Sequence, residues 1–180
     1  MYIQQANLED IPGILDLLKA NHAHYVEDKT DGFVTTNMTE QQLAALITTE
    51  NGCTVAKEGH NILAFAMAAS WGFWSEWPFF AHMIDQLPNV MFEGQTLTVE
   101  NSYQYGPVCV DASVRGSGLF EKIFYASLSN MKERYPIMAT FINQINLRSF
   151  AAHTRKVSMT QVGTFALNQN KYYFMACSTK

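Results

Sequence analysis

Cysteine is scarce in this sequence and forms no recognisable pattern. The 180 residues include 3 cysteines, Cys53, Cys109 and Cys177, which lie far apart and form no C-x-x-C pair. An odd number of scattered cysteines is not typical of a disulfide framework or of a zinc site. We therefore expect no bound metal, and this usage of cysteine favours a cytoplasmic protein.

Long apolar runs are also missing. The first residues, MYIQQANLEDIPGI, have neither the basic start nor the apolar centre of a signal peptide. The most apolar window, residues 61–80, is interrupted by Ser70, Gly72, Glu76 and Pro78, so we expect no membrane span. Both observations agree with a cytoplasmic location.

Charge is low and slightly negative. The formal net charge is -4, with 16% charged residues and no run of Lys or Arg. This balance argues against binding to nucleic acid or to an anionic membrane. The slightly negative net charge favours a small cationic partner.

The chain has enough apolar residues for one packed domain. Hydrophobic residues make up 48% of the sequence, and no linker, repeat or low-complexity tract divides it. We therefore predict a single domain over residues 1–180. The patterns predict the element order β-α-α-β-β-β-α-β-α-β-β. Asn7 and Thr39 are the expected caps of the first two helices, and Gly59 is the expected turn of a hairpin.

Two glycines stand between a strand pattern and a helix pattern. The stretch VCVDASVRGSGLFEKIF places Gly116 and Gly118 after an apolar run and before a helical stripe that ends near ERYP. Pro107 cannot donate to a sheet ladder, so we expect a bulge or a loss of pairing there. With the next strand, IMATFIN, these segments predict a βαβ unit whose glycine loop binds a pyrophosphate at the helix N-terminus.

The glycines by themselves are a weak signal. Gly-Ser-Gly also occurs in turns that bind nothing. A dinucleotide fold needs a third glycine where Glu121 stands, and a P-loop needs Gly-Lys-Ser/Thr, which is absent. What remains is an arginine followed by G-x-G at the start of a helix.

This pattern resembles the phosphate loop of the GNAT superfamily of N-acyltransferases, Q/R-x-x-G-x-G/A. Arg115 and Gly118 match it, although Phe120 stands where that family usually has Gly or Ala. Downstream, Asn146, Ser149, Phe150 and His153 resemble the N-x-x-A/S-x-x-x-Y/H motif of the fourth GNAT helix. The resemblance implies an α/β (α+β) domain with a mixed sheet of about seven strands and about four helices.

The resemblance also implies the chemistry. It implies that acetyl-CoA donates its acetyl group to a primary amine of a small molecule or peptide, without a metal. His153 would donate a proton to the departing thiolate. The implied cofactor-binding residues are Val108, Cys109, Val110, Arg115, Gly116, Ser117, Gly118, Leu119, Phe120, Asn146 and Ser149.

Several alternatives stay open at this level. Glu100 and Glu76 are candidates for the general base, and Asp111 is more typical of a turn. The aromatic stretch WGFWSEWPFF could be core, an acceptor pocket, a membrane-surface loop or the patch of a homodimer. A degenerate domain that binds acyl-CoA or a protein without turnover is the alternative to an enzyme.

Overall fold

Alternating β-branched and aromatic segments assemble into one mixed sheet. The computed structural model describes residues 1–180. Its strands are β1 (Tyr2–Gln5), β2 (Cys53–Glu58), β3 (Asn61–Ala69), β4 (Met91–Phe92), β5 (Gln95–Thr96), β6 (Ser102–Val110), β7 (Ile137–Asn143), β8 (Thr160–Leu167) and β9 (Asn170–Ser178). Seven of them form a sheet in the order β1-β2-β3-β6-β7-β9-β8, and β4 and β5 form a separate small hairpin. Within the large sheet only β6 and β7 run parallel, which confirms the predicted βαβ unit.

Six α-helices accompany the strands. They are α1 (Ile11–Ala20), α2 (Glu40–Ala45), α3 (Trp71–Trp74), α4 (Pro78–Gln86), α5 (Leu119–Met131) and α6 (Leu147–Ala151), and α6 continues as a π-helical turn over Ala152–Lys156. None of these helices combines the length and hydrophobicity needed to cross a bilayer. The expected caps are confirmed: Asn7 and Thr39 each form a capping box, and Gly59 has a φ of 60° in the hairpin turn.

The period of two in the strands divides the core between the two faces of the sheet. Alternate residues such as Val55, Phe65 and Met67 pack against helices α1 to α4. Their sequence neighbours, such as Ala64 and Ala66, pack against α5. Both faces of the sheet are therefore covered, and the sheet is accessible to a ligand where two of its strands separate.

The sheet opens between β6 and β7. Their pairing covers only Ser102 to Gln104 on β6, opposite Ile137 to Ala139 on β7. On its other side β6 stays paired with β3, with a register shift opposite Ala66 to Ala68. This confirms the expected irregularity around Pro107, and beyond Gln104 the two parallel strands diverge into a fork.

The aromatic stretch that the sequence left open is core. It forms α3 and α4, where Trp71, Trp74 and Phe80 are fully buried. The indole of Trp71 donates to Ser102 Oγ at 3.0 Å, and that of Trp74 donates to the Gln104 carbonyl at 3.2 Å. These two helices are the ones beyond the four expected. Helix α3 is a single turn, too short to show a helical period, whereas α4 buries Phe80 and Met83 and exposes Pro78 and Asp85, so its helical pattern is present in the sequence.

Candidate functional site

The glycine loop leaves a row of main-chain amides without partners. Gly116 has a φ of 78° and Gly118 a φ of 82°, a region that side-chain-bearing residues seldom adopt. The amides of residues 115–121 donate no hydrogen bond within the protein, and the first α5 amide that does is Lys122, to the Gly118 carbonyl. Together with the positive end of the α5 dipole, these amides form an anion-binding cradle.

The end of β6 presents further free main-chain groups. The Asp111 amide donates to the Leu63 carbonyl at 2.8 Å, and Cys109 lies opposite Phe65. Because bonding alternates along an antiparallel ladder, the amides of Val108 and Val110 point away from β3. They face the fork, where β7 has already separated. Val108, Cys109 and Val110 were all predicted to bind the cofactor. The main-chain amide of Cys109 points toward β3 instead, and its side chain is buried in the core.

A cleft of about 740 Å³ contains both sets of free groups, and we call it the loop cleft. Its walls are the glycine loop, the end of β6, helix α6 and a loop of residues 31–34. Five charged side chains line it: Asp31, Arg115, Glu121, Arg148 and Lys156. Three of the five are cationic, so the cleft suits an anionic ligand.

Asp31 occupies the space between the two arginines of the loop cleft. Its carboxylate lies 2.8 Å from Arg148 Nη1 and 3.4 Å from Arg115 Nη1. Arg115 also donates to Asn21 Oδ1 at 3.0 Å. The arginine predicted to bind a pyrophosphate is therefore held at the cleft by a carboxylate of the protein itself.

A second cleft, of about 580 Å³, lies in the fork between β6 and β7, and we call it the fork cleft. Its walls are residues 33–36, 105–108 and 140–143 together with Tyr172. The two clefts meet, because six residues line both: Phe33, Val34, Val108, Asn146, Ser149 and His153. A ligand in one cleft can thus touch a ligand in the other.

His153 is buried at the junction of the two clefts. Burial lowers its pKa to about 4, so the ring is neutral at neutral pH. Its Nδ1 donates to the Ser149 carbonyl at 2.8 Å, which leaves Nε2 as an acceptor, and Nε2 has no partner. The rings of Phe120 and Tyr105 lie 5.0 and 5.8 Å away. The proton-donor role of His153 stays a prediction, but this geometry leaves Nε2 free to accept a hydrogen bond.

Asn146 and Ser149 lie where the motif predicted, at the start of α6. The Asn146 Oδ1 accepts from the Ser149 amide at 3.3 Å and caps the helix. Its Nδ2 donates to the Phe33 carbonyl at 3.1 Å. Asn146 therefore joins α6 to the loop that covers both clefts.

Other predicted residues lie outside the clefts. Glu100 is exposed in the turn before β6, whose 9 residues separate it from the loop cleft by about 30 Å. Glu76 is exposed beside the aromatic core, so neither carboxylate is near His153. Ser117 Oγ donates to the Val114 carbonyl, and Leu119 is buried in the core.

Three residues of the loop cleft were not predicted from the sequence. Asp31 and Phe33 lie in a loop with no periodic pattern, and Arg148 lies inside the motif that Asn146 opens. A basic residue at the first turn of a helix could have drawn attention to Arg148. No group of three or more His, Cys, Asp or Glu side chains is placed to hold a metal.

A mixed seven-stranded sheet that forks beside a glycine loop is the fold of the GNAT acetyltransferases. Many solved structures match this chain, and three that match nearly its whole length illustrate the similarity. A ribosomal-protein-alanine N-acetyltransferase from Brucella melitensis has a TM-score of 0.65 and 16% identity over 99% of both chains. An N-acetyltransferase from Staphylococcus aureus Mu50 has a TM-score of 0.64 and 18% identity, covering 99% of this chain and 98% of the other.

The third is a putative acetyltransferase from Salmonella typhimurium solved with its cofactor acetyl-CoA. Its TM-score is 0.66 at 15% identity, over 99% of this chain and 94% of the other. No family model and no curated protein matches the sequence. The fold expected from the sequence motifs is thus confirmed by structural similarity alone.

Proposed function

We propose that the protein is an N-acetyltransferase that transfers the acetyl group of acetyl-CoA to a primary amine. The observation that carries this proposal is the meeting of two features in one cleft. The glycine-loop amides suit a diphosphate, and the open edge of β6 suits an extended amide-bearing chain. A ligand with both parts, joined in that order, is coenzyme A.

Different residues of the loop cleft would bind different parts of acetyl-CoA. The amides of residues 116–121 and the arginines Arg115 and Arg148 bind the phosphates. The main chain of Val108 and Val110 binds the pantetheine arm in the manner of an added strand. When bound, acetyl-CoA supplies an activated acetyl thioester where the two clefts meet.

The protein's own part in the transfer is to position the amine in its neutral form. The N–C bond forms as the C–S bond breaks, and the proton lost by the amine goes to the departing CoA thiolate. The fork cleft leads to Val108 and His153, which also line the loop cleft, so an amine bound in the fork cleft would reach the junction of the two clefts without crossing the glycine loop. His153 Nε2 is the unpartnered acceptor at that point. A β6 amide facing the fork is placed to donate to the thioester oxygen as its charge develops.

Acetyl-CoA binding is tested by thermal unfolding. At about 100 times its dissociation constant, a ligand that binds only the folded state adds about 2.7 kcal/mol. For a domain of this size we expect the melting temperature to rise by about 5 to 10 °C. NAD and ATP, which lack the pantetheine arm, should give smaller shifts. An unchanged melting temperature with saturating acetyl-CoA would refute the proposal.

Transfer is tested by the release of free CoA in the presence of a panel of amines. An enzyme should release CoA in proportion to the acetylated amine that forms. Acetyl-CoA binding without transfer to any amine would instead support the non-catalytic alternative.

A further inference from the structure

The fork cleft has no charged residue in its lining. None of its 16 residues is Asp, Glu, Lys or Arg. The adjoining loop cleft has five charged side chains, so the contrast is local and does not follow from the composition of the whole chain. The two halves of the site therefore suit ligands of different charge.

The titratable groups in the fork cleft are neutral as well. They are His153, Tyr105 and Tyr172. Burial lowers the pKa of His153 to about 4 and raises the pKa of both tyrosines. An ammonium group that enters this cleft loses water and meets no carboxylate, which is costly for a charge.

Aromatic rings form one wall of the fork cleft. Phe141 and Tyr172 line it on the β7 and β9 side, with ring centroids 5.9 Å apart. Phe79 packs behind both rings, at 4.3 Å from Phe141 and 5.0 Å from Tyr172, and holds them in place. A flat apolar body fits such a wall.

One buried polar atom completes the environment. His153 Nε2 is buried without a hydrogen-bond partner, and His153 lines the fork cleft. Leaving this acceptor buried without a partner is unfavourable, and an amine N–H that donates to it removes that cost.

We propose that the acceptor is a primary monoamine with a flat apolar body and no second charge, bound in the fork cleft. This inference rests on the proposed function and narrows it. It excludes polyamines and aminoglycosides, because each additional ammonium would need a carboxylate that the cleft does not provide. It also departs from the small cationic partner that the net charge of the chain favours.

The test is a matched pair of amines that differ by one charge. Benzylamine and 1,4-bis(aminomethyl)benzene share the ring and the reacting group, but the second carries another ammonium. We expect kcat/KM for benzylamine to exceed that for the diamine by at least about tenfold, although the diamine has twice as many reactive groups. Equal values, or a preference for the diamine, would overturn the inference and leave the acetyltransferase function intact.

Binding provides a second measurement, independent of turnover. With CoA bound, benzylamine should raise the melting temperature further and the diamine should not. If neither amine binds or reacts while acetyl-CoA still stabilises the protein, the acceptor assignment is wrong. If acetyl-CoA itself does not bind, the proposed function fails instead.

A charge can also be placed in the cleft. Thr35 is exposed at its rim and contributes its carbonyl to a hydrogen bond from His22 Nε2 at 3.2 Å, so its side chain is free to change. Thr35→Asp should reduce the preference for benzylamine over the diamine by about threefold, as expected for a partly exposed ion pair. Thr35→Asn, which has the same shape without the charge, should leave the ratio unchanged. Equal ratios in the two variants would contradict an electrostatic basis for the selectivity.

Discussion

Asp31 is a residue whose position suggests competition with the ligand. Its carboxylate bridges Arg115 and Arg148, the two guanidinium groups best placed to bind phosphates. All three side chains are partly exposed, so the bridge itself adds little to folding stability. In the proposed complex, a phosphate of acetyl-CoA would have to displace this carboxylate or share the arginines with it.

Asp31→Asn should therefore tighten acetyl-CoA binding. We expect the dissociation constant to fall by about three- to tenfold, because an unfavourable negative charge is removed from an anion site. Calorimetric titration measures it, and the gain should shrink at high salt. Asp16→Asn removes the same charge from the exposed face of α1 and serves as the control. A weaker complex with Asp31→Asn would show that the carboxylate positions the arginines for the ligand.

Sequence patterns predicted the residues of the site unevenly. Gly116, Gly118, Asn146 and His153 belong to short motifs with fixed spacing, and the structure brings them to one place. Asp31 belongs to no motif, because its role depends on a loop that reaches the cleft from a distant part of the chain. Glu100 is a candidate base in the sequence, but it precedes β6, and the 9 residues of that strand separate it from the cleft.

At the scale of elements, the glycine loop is the feature most open to a clean test. A Cβ added at Gly118 would meet no atom within 4 Å, and the same holds for Gly59 in the β2–β3 hairpin. Both have positive φ, so an alanine at either position costs about 1 kcal/mol or more of backbone strain. Of these two glycines, Gly118 lines the loop cleft and Gly59 does not.

Gly118→Ala and Gly59→Ala should therefore destabilise the free protein to similar extents. If the loop binds phosphates as proposed, only Gly118→Ala should reduce the melting shift caused by acetyl-CoA, since a methyl group in the loop would hinder the approach of a phosphate to the main-chain amides. Thermal unfolding with and without acetyl-CoA measures both effects. Equal shifts in the two variants would show that the loop is a turn without a ligand.

Period and punctuation account for most of the predicted elements. The seven strands show alternation or short apolar runs between turn residues, α1, α2 and α5 show a period of about 3.6 residues, and α6 begins at a motif. Helix α3 is a single turn and shows no period, and the amphipathic pattern of α4 lies within a run of aromatic residues of which Trp71, Trp74 and Phe80 are buried in the core. The packing of α3 and α4 against the sheet depends on the tertiary structure and cannot be predicted from their own sequence.

At the scale of the whole molecule, His153 couples folding to pH. Burial holds its pKa near 4, below the ordinary value of 6.5, so the unfolded chain binds this proton more tightly than the folded protein. The stability contributed by the neutral ring is complete above about pH 6.5 and is lost as the pH falls toward 4.

His153→Phe should remove this dependence. The variant keeps a ring among Tyr105, Phe120 and Phe124 but has no proton to bind. Between pH 7 and pH 4.5, the wild-type protein should lose about 2 to 3 kcal/mol more free energy of unfolding than the variant. Urea unfolding at several pH values measures the difference. If the free energy of unfolding falls equally with pH in the two proteins, folding does not lower the pKa of His153.

The packing of α3 beside the fork also makes tryptophan fluorescence a probe of structural changes at the fork. The chain has 3 tryptophans, and all of them, Trp71, Trp74 and Trp77, lie in the segment of α3 and α4. The indoles of Trp71 and Trp74 bond to Ser102 and Gln104, at the two ends of the only stretch where β6 pairs with β7. The intrinsic fluorescence of the protein therefore comes from the corner where the sheet divides. Emission should respond to any ligand that spreads or closes the fork, with no label attached.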